Sequence, residues 1–172
     1  MDIANYTSED PCAGPAPKEL MVKEIPDLDL FHPDTPDPDH AAEIAIAAEQ
    51  KALSFSDKIK QSDGASYDSH YGLKVYGNSH GRLASYASSR HSTSCCVIGQ
   101  GESGVMERDY SYTVARHKED LWTPESVGLK AAEKTISRLD AQKLKTGMYP
   151  VMFAADVACL LYTSPSPRDQ VV

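Results

Sequence analysis

Two stretches of the chain alternate apolar and polar residues at every second position, which is typical of strands with one buried face. The first lies between the turn sequences SDG (62–64) and NSHG (78–81), and the second follows the turn at 99–104. Residues 82–98, rich in small and β-branched side chains, fit between them as a hairpin partner. The pattern therefore predicts an antiparallel meander. Its alternating apolar positions are Tyr67, Tyr71, Leu73, Val75, Met106, Tyr110, Tyr112 and Val114.

Two helices flank these strands. An N-cap residue followed by proline begins each helix, at Asp37 and at Thr123. The spacing of apolar residues predicts helices over about 38–54 and 124–143, and residues 147–153 read as a further short apolar strand. The fold class is therefore α+β, an antiparallel β meander with two main helices. The expected buried helix faces consist of Ala41, Ile44, Ala45, Ala48 and Ala52, and of Val127, Ala131, Ile136 and Leu139.

The segment before the first helix, residues 7–39, holds most of the 11 prolines of the chain. Proline removes a backbone donor and disfavours helix in the residue before it, so an extended segment is expected here. Apolar residues between the prolines would hold this segment against the body of the domain.

Charge and cysteine content restrict the class of protein. Residues 1–58 carry 13 acidic residues against 4 Lys and Arg, and the net charge of the chain is −8, which argues against a nucleic-acid partner. No apolar run reaches the length of a membrane span, and the first ten residues lack the features of a secretory signal. Adjacent Cys95 and Cys96 make a poor disulfide framework, so a cytoplasmic location is expected.

Three groups of residues have the composition of a functional site but lack its spacing. HPDTPDPDH (32–40) has no EF-hand spacing, and a solvated acidic turn before a helix explains it. His91 and Cys95 would lie about 13 Å apart on a strand, which is too far for contact. A cysteine hydrolase that uses Cys95 or Cys96 is kept as an alternative. Strand register alone could bring three further histidines to a shared metal: His70, His80 and His117.

Longer strings are more specific than these motifs. They are YTSEDPCAG, PDLDLFHP, SHYGLKVYGNSHG, MERDYSYT, TPESVGLKAAEKTISRL and YPVMFAADVA. In this order, over about residues 5–158, they resemble the PmbA/TldE branch of the TldD/PmbA metallopeptidase family. The resemblance implies that residues 1–158 are part of the N-terminal and central region of such a protein, with the α+β fold belonging to the family's N-terminal domain.

The same resemblance implies a function. Family members are cytoplasmic proteases that act on peptides and unfolded chains, and a PmbA/TldE-type subunit supports a TldD-like catalytic subunit that holds zinc. This chain contains no His-Glu pair. We therefore expect no catalytic residue, no metal ligand and no cofactor in it, and no activity when it is alone. The alternative function is a non-enzymatic peptide-binding or scaffold domain.

Peptide contact is expected at two strands of the sheet, SHYGLKVYG and MERDYSYT, because an extended peptide can add to an exposed edge. The other interpretation of both strands is that they only build the sheet. The candidate contact residues are Tyr71, Lys74, Tyr76, Arg108, Tyr110 and Tyr112.

The end of the chain changes character at Cys159. CLLYTSPSPRD resembles the in-frame translation of a transposase sequencing adapter. We therefore expect residues 159–172 to be an artefactual, disordered tail, with the native sequence ending near Ala158. The resemblance also suggests that Met1 is an internal start.

Overall fold

A computed structural model describes residues 3–8, 10, 12–159 and 162, and the chain divides into two compact units, residues 1–141 and 142–172. The first unit combines one antiparallel sheet with two α-helices, which confirms the predicted α+β class. Its main elements are α1 (Pro38–Leu53), β1 (Ile59–Gly77), β2 (Leu83–Gln100), β3 (Met106–Ala115) and α2 (Pro124–Arg138).

The sheet has the order β1-β2-β3, so the meander predicted from the sequence is confirmed. Both helices pack on one face of this sheet, α1 mainly over β1 and β2 and α2 mainly over β2 and β3. The opposite face carries no helix among the described residues, and we call it the open face. β1 and β3 are the two edge strands.

The core between helices and sheet is built from small side chains. Ala48 of α1 lies against Gly128 of α2, where a β-carbon on the glycine would come within 2.0 Å of the Ala48 carbonyl oxygen. Such a close approach is open only to residues without large side chains, which explains the Ala-rich sequence of α1. The buried core residues are Ala48, Ala52, Ile59, Cys95, Val97, Val127, Ala131 and Ala132.

Both helices begin where the sequence predicts, but α2 ends earlier. The Thr123 hydroxyl accepts a hydrogen bond from the Ser126 N–H at 3.3 Å, which caps α2. The prediction of a helix to about residue 143 is wrong, because Leu139 is extended and Asp140 takes a positive φ of 55°. Within the described part of the chain, no helix is long and apolar enough to cross a membrane.

The SDG sequence at 62–64 does not precede the first strand as a turn. β1 begins at Ile59 and runs through it, and the register with β2 shifts between Ser62 and Gly64. Gly64 has a φ of 119°, a conformation that side chains disfavour, so the glycine forms a bulge instead of a turn.

The alternation in β3 is present, but the side of the strand that was expected to be buried is the exposed one. Ser111 and Thr113 are buried under the helices, whereas Tyr110, Tyr112 and Val114 are about half exposed on the open face. The helices approach this part of the sheet closely, and small hydroxyl side chains fit there better than aromatic rings. Periodicity therefore identified the strand but not its buried face.

The second unit, residues 142–172, is described by itself. Residues 147–153 form no strand, so that prediction is wrong, and Met148 and Met152 are fully exposed. A short apolar run needs a strand neighbour to become a strand, and the described residues of this unit offer none. The expected tail at 159–172 lies outside the described residues except for Cys159 and Tyr162.

Candidate functional site

Five of the six candidate contact residues lie on the open face, but they form two separate groups. Lys74 and Tyr76 lie near the β1–β2 turn, where Lys74 pairs with Tyr86. The β3 group lies at the other end, where Tyr110 pairs with Cys96, ten positions or about 33 Å further along β2. The candidate contact residues therefore lie on two separate edge strands and do not form one cluster. The β3 group consists of Arg108, Tyr110 and Tyr112.

The sixth candidate, Tyr71, faces the helix side of the sheet. Its hydroxyl accepts a hydrogen bond from the Asp34 N–H at 2.8 Å and donates one to the Asp34 carbonyl oxygen. Both bonds hold residues 28–37, which we call the strap, against the domain. Tyr71 therefore fixes the strap and is not on the open face with the other five.

The strap continues the sheet where β3 ends. The Ser89 N–H donates to the Leu30 carbonyl oxygen at 2.9 Å, beyond the last β2–β3 pair, His91 with Ala115. Asp34 of the strap also forms an ion pair with Lys118 at 2.9 Å. The extended, Pro-rich segment predicted from the sequence thus satisfies backbone groups of β2 that β3 does not reach.

His91 is fully buried beneath the strap, and its partners could not be identified from the sequence. Its Nε2 lies 2.9 Å from the His32 carbonyl oxygen, and its Nδ1 lies 2.9 Å from the Ser69 hydroxyl. A carbonyl oxygen can only accept, so Nε2 donates to it, and Nδ1 is engaged by the Ser69 hydroxyl. Both ring nitrogens are committed, and His91 is not free to act as a base.

The two adjacent cysteines do not form an activated nucleophile. Burial, with a smaller effect of Glu49, raises the pKa of the Cys95 thiol to about 11, and its Sγ lies 3.9 Å from the Ala48 carbonyl oxygen. Burial also raises the pKa of the Cys96 thiol, although nearby Arg108 acts in the opposite direction. Burial therefore keeps both thiols protonated at neutral pH, and the cysteine-hydrolase alternative gains no support.

The residues of the acidic loop are used for structure. Asp34 pairs with Lys118, and the His40 ring lies 3.4 Å from Glu43 in the first turns of α1. His32 packs against His117 with ring centroids 5.0 Å apart. Among the described residues, no group of three or more His, Cys, Asp or Glu is placed to hold a metal ion. Within this part of the chain, the structure therefore does not bring His70, His80 and His117 together at a metal site.

Two cavities lie near the β1–β2 turn and near the helix starts, and a third, of about 500 Å³, lies beside residues 25–31. The first, of about 620 Å³, has mostly apolar walls and lies between the segment before the strap and the β1–β2 turn. The second, of about 360 Å³, lies where both helices begin and includes the Asp34–Lys118 pair in its wall. Neither of these two cavities brings a nucleophile and a base together.

The β3 end of the open face has its own local geometry. The rings of Tyr110 and Tyr112 stack with centroids 6.2 Å apart and planes at 23°. Arg108 forms a 2.6 Å ion pair with Asp63 of β1 across β2. Both partners of this pair are substantially exposed, so it adds little stability. A further signal near this strand, visible in the sequence but not used for a prediction, is a row of cations on α2 at four-residue spacing: Lys130, Lys134 and Arg138.

Comparison with known proteins identifies the family. The family model described as PmbA/TldA metallopeptidase central domain matches residues 31–139. The chain is 55% identical over 162 residues to "Metalloprotease PmbA" from Escherichia coli O157:H7, and 52% identical over 156 residues to "Metalloprotease PmbA homolog" from Haemophilus influenzae. These matches cover 94% and 91% of the chain but only 36% and 34% of the relatives, so the chain spans about a third of their length.

Solved structures agree with this assignment. A candidate modulator of DNA gyrase from Bacteroides thetaiotaomicron superposes with a TM-score of 0.71 at 26% identity, over 85% of this chain and 34% of that one. A protein of the same description from Thermotoga maritima, 20% identical, shares the fold with a TM-score of 0.63 over 73% of this chain and 29% of that one. The chain belongs to the PmbA/TldD metallopeptidase family.

Proposed function

We propose that the chain is part of a PmbA-type subunit of a TldD/PmbA metalloprotease complex that degrades or processes peptides and unfolded chains in the cytoplasm. Its role in that complex is to bind substrate and to support the catalytic subunit. The hydrolytic zinc belongs to a TldD-like partner, where a metal-bound water would attack the peptide carbonyl. Family membership supports the metalloprotease setting.

The observation that carries the binding role is the form of the sheet. Each of the edge strands β1 and β3 has one strand neighbour among the described residues, and together they leave two long rows of backbone donors and acceptors unpaired by strands. An extended peptide can satisfy such a row whatever its side chains are, which suits a protease for unfolded chains. The described residues supply no metal-binding group of their own.

A non-enzymatic peptide-binding or scaffold domain is the second candidate. The same absence of a metal-binding group among the described residues favours it over a self-sufficient enzyme. The two candidates differ in their need for a partner, because a scaffold domain would bind peptide without taking part in hydrolysis.

Reconstitution with a TldD-like catalytic subunit tests the proposal. We expect the two chains to co-elute in gel filtration and the mixture to hydrolyse an unstructured peptide faster than the catalytic subunit alone. A chelator should abolish the hydrolysis but leave peptide binding by this chain intact. Chelator-sensitive hydrolysis by this chain alone would contradict the proposal, and so would a catalytic subunit that neither binds it nor responds to it.

A further inference from the structure

We propose that the outer edge of β3 and the adjoining side of α2 form a groove for one class of ligand: an extended peptide in which Asp or Glu alternates with aromatic or aliphatic residues. This inference rests on the proposed peptide-binding function and names the substrate class and the edge. Its support comes from the backbone of β3, a row of cations on α2 and the side chains of the open face.

β3 provides the backbone part of the groove. Its ten residues pair with β2 on one side only, and no backbone hydrogen bond among the described residues covers the other side. An edge of this length spans about 33 Å, enough for a peptide of several residues. β3 contains neither a proline nor a bulge, two features that would hinder the addition of a strand to its edge.

Lys130, Lys134 and Arg138 form a basic stripe on α2. Residues four apart share one side of a helix, and two contacts show that this side faces β3. The Lys130 ammonium lies 3.3 Å from the centre of the Trp122 ring, which follows β3 in the chain. Arg138 donates to the Asp109 carboxylate of β3 at 3.0 Å. The stripe therefore runs along the outer side of the strand.

The helix and the strand match in length over this stretch. The Trp122 N–H donates to the Thr113 hydroxyl at 3.3 Å and Arg138 bonds to Asp109, so the stripe runs from the Thr113 end of β3 toward Asp109. Eight helical residues rise about 12 Å and four strand residues about 13 Å. The two distances agree, so Lys134 lies about halfway along this stretch.

Two of the three cations are available to a ligand. Arg138 is committed to Asp109, whereas Lys130 contacts only a ring and Lys134 has no ion-pair partner among the described residues. The two nearby acidic residues do not interrupt the stripe. Glu107 lies beyond its Arg138 end, and Glu133 is turned about 100° around the helix axis from Lys134. The groove is therefore a locally basic surface on a chain whose net charge is −8.

The spacing of these cations selects acidic residues at alternate positions. Lys130 and Lys134 are separated by about 6 Å of helical rise, and residues i and i+2 of an extended peptide by about 6.6 Å. A peptide added to β3 would turn its other side chains toward the open face. There it would meet the half-exposed rings of Tyr110 and Tyr112, which favour aromatic or aliphatic contacts.

Fluorescence anisotropy with short synthetic peptides tests this inference on the 172-residue chain. We expect a peptide of alternating Glu and Val to bind about tenfold more tightly than one of alternating Lys and Val or one with the same residues in two blocks. Lys134→Glu should weaken the binding of the Glu–Val peptide about tenfold. Lys51→Glu makes the same charge change at an exposed position of α1, outside both edge strands, and should leave this binding unchanged.

N-methylated peptides test the strand addition without altering the protein. Only alternate amides of an added strand face the edge, so methylation of one alternate set should abolish binding and methylation of the other should not. Circular dichroism of both variants confirms that they fold like the parent chain. A loss of binding in both methylated peptides or in neither would overturn the mode of binding.

The outcomes separate this inference from the proposed function. Equal binding of the Glu–Val and Lys–Val peptides, with no effect of Lys134→Glu, would overturn the acidic preference and leave peptide binding in place. Weaker binding after Lys51→Glu instead would move the site away from β3 and overturn the inference. Failure of every peptide to bind would overturn both.

Discussion

Replacing Gly128 with alanine would place a methyl group where α2 meets the backbone of α1. The new β-carbon would lie 2.0 Å from the Ala48 carbonyl oxygen and 3.2 Å from the Ala52 nitrogen. Because the nearest atom belongs to the backbone, no change of side-chain rotamer can relieve the contact. The helices would have to separate by at least about 1 Å at this point to restore an ordinary contact distance.

The magnitude follows from two opposing effects. Overpacking of a core costs about 1–3 kcal/mol and more where backbone must move, and a separation of about 1 Å weakens the dispersion contacts of the surrounding alanines. Alanine in place of glycine adds about 1 kcal/mol of helix propensity. The net expected loss is about 2 kcal/mol of unfolding free energy, or a Tm lower by about 4–8 °C.

Urea unfolding followed by circular dichroism measures this loss. Gly14→Ala is the matched control, since a β-carbon there meets no atom within 4 Å. We expect the control to unfold like the parent chain and Gly128→Ala to unfold at a lower urea concentration with a similar slope. A Gly128→Ala chain as stable as the parent would refute the close helix packing described above.

Three further predictions concern single residues. Hydrogen bonds from the 102–103 loop lower the pKa of the Asp140 carboxyl below 3.8, so the carboxylate stabilises the fold above that pH and this stabilisation is lost on acidification. Asp140→Asn should therefore lower the Tm at neutral pH, and the difference in Tm from the parent chain should shrink below about pH 4. Tyr71→Phe removes both hydrogen bonds to Asp34 and should cost about 1–2 kcal/mol in urea unfolding, with faster proteolysis in the strap; unchanged stability and cleavage would contradict the role assigned to the hydroxyl. Mass spectrometry after iodoacetamide treatment at neutral pH should find exposed Cys12 alkylated and buried Cys95 intact in the folded chain. Equal labelling of the two thiols would contradict the burial of Cys95, which is also the main cause of its raised pKa.

Local patterns accounted for most of the elements. The N-cap residues and prolines at Asp37 and Thr123 located both helix starts, because capping depends on a few consecutive residues. The end of α2 was missed, since it depends on Asp140, whose positive φ and bonds to Ser103 belong to a contact made across the fold. Helix starts were therefore readable from the sequence and the end of α2 was not.

The candidate site was only partly predictable for a similar reason. Alternation showed that Tyr110 and Tyr112 lie on one side of a strand, but it could not show which side the helices would cover. The spacing of His91 and Cys95 argued against a catalytic pair, but it could not show the buried role of His91. That role depends on Ser69 and on the His32 carbonyl oxygen, 22 and 59 residues away in the chain. Such partners are brought together only by the tertiary fold.

By itself, the sequence determined the α+β class, the order of the elements, the helix starts and the family, because each depends on local periodicity, capping or long shared strings. The tertiary structure alone decided which face of β3 is buried, which strands are edges and how Lys130, Lys134 and Arg138 align with one of them. The physical reason is that burial and register are set by helices packing on the sheet. At Gly128 that packing brings the α1 backbone so close to α2 that only a residue without a side chain fits.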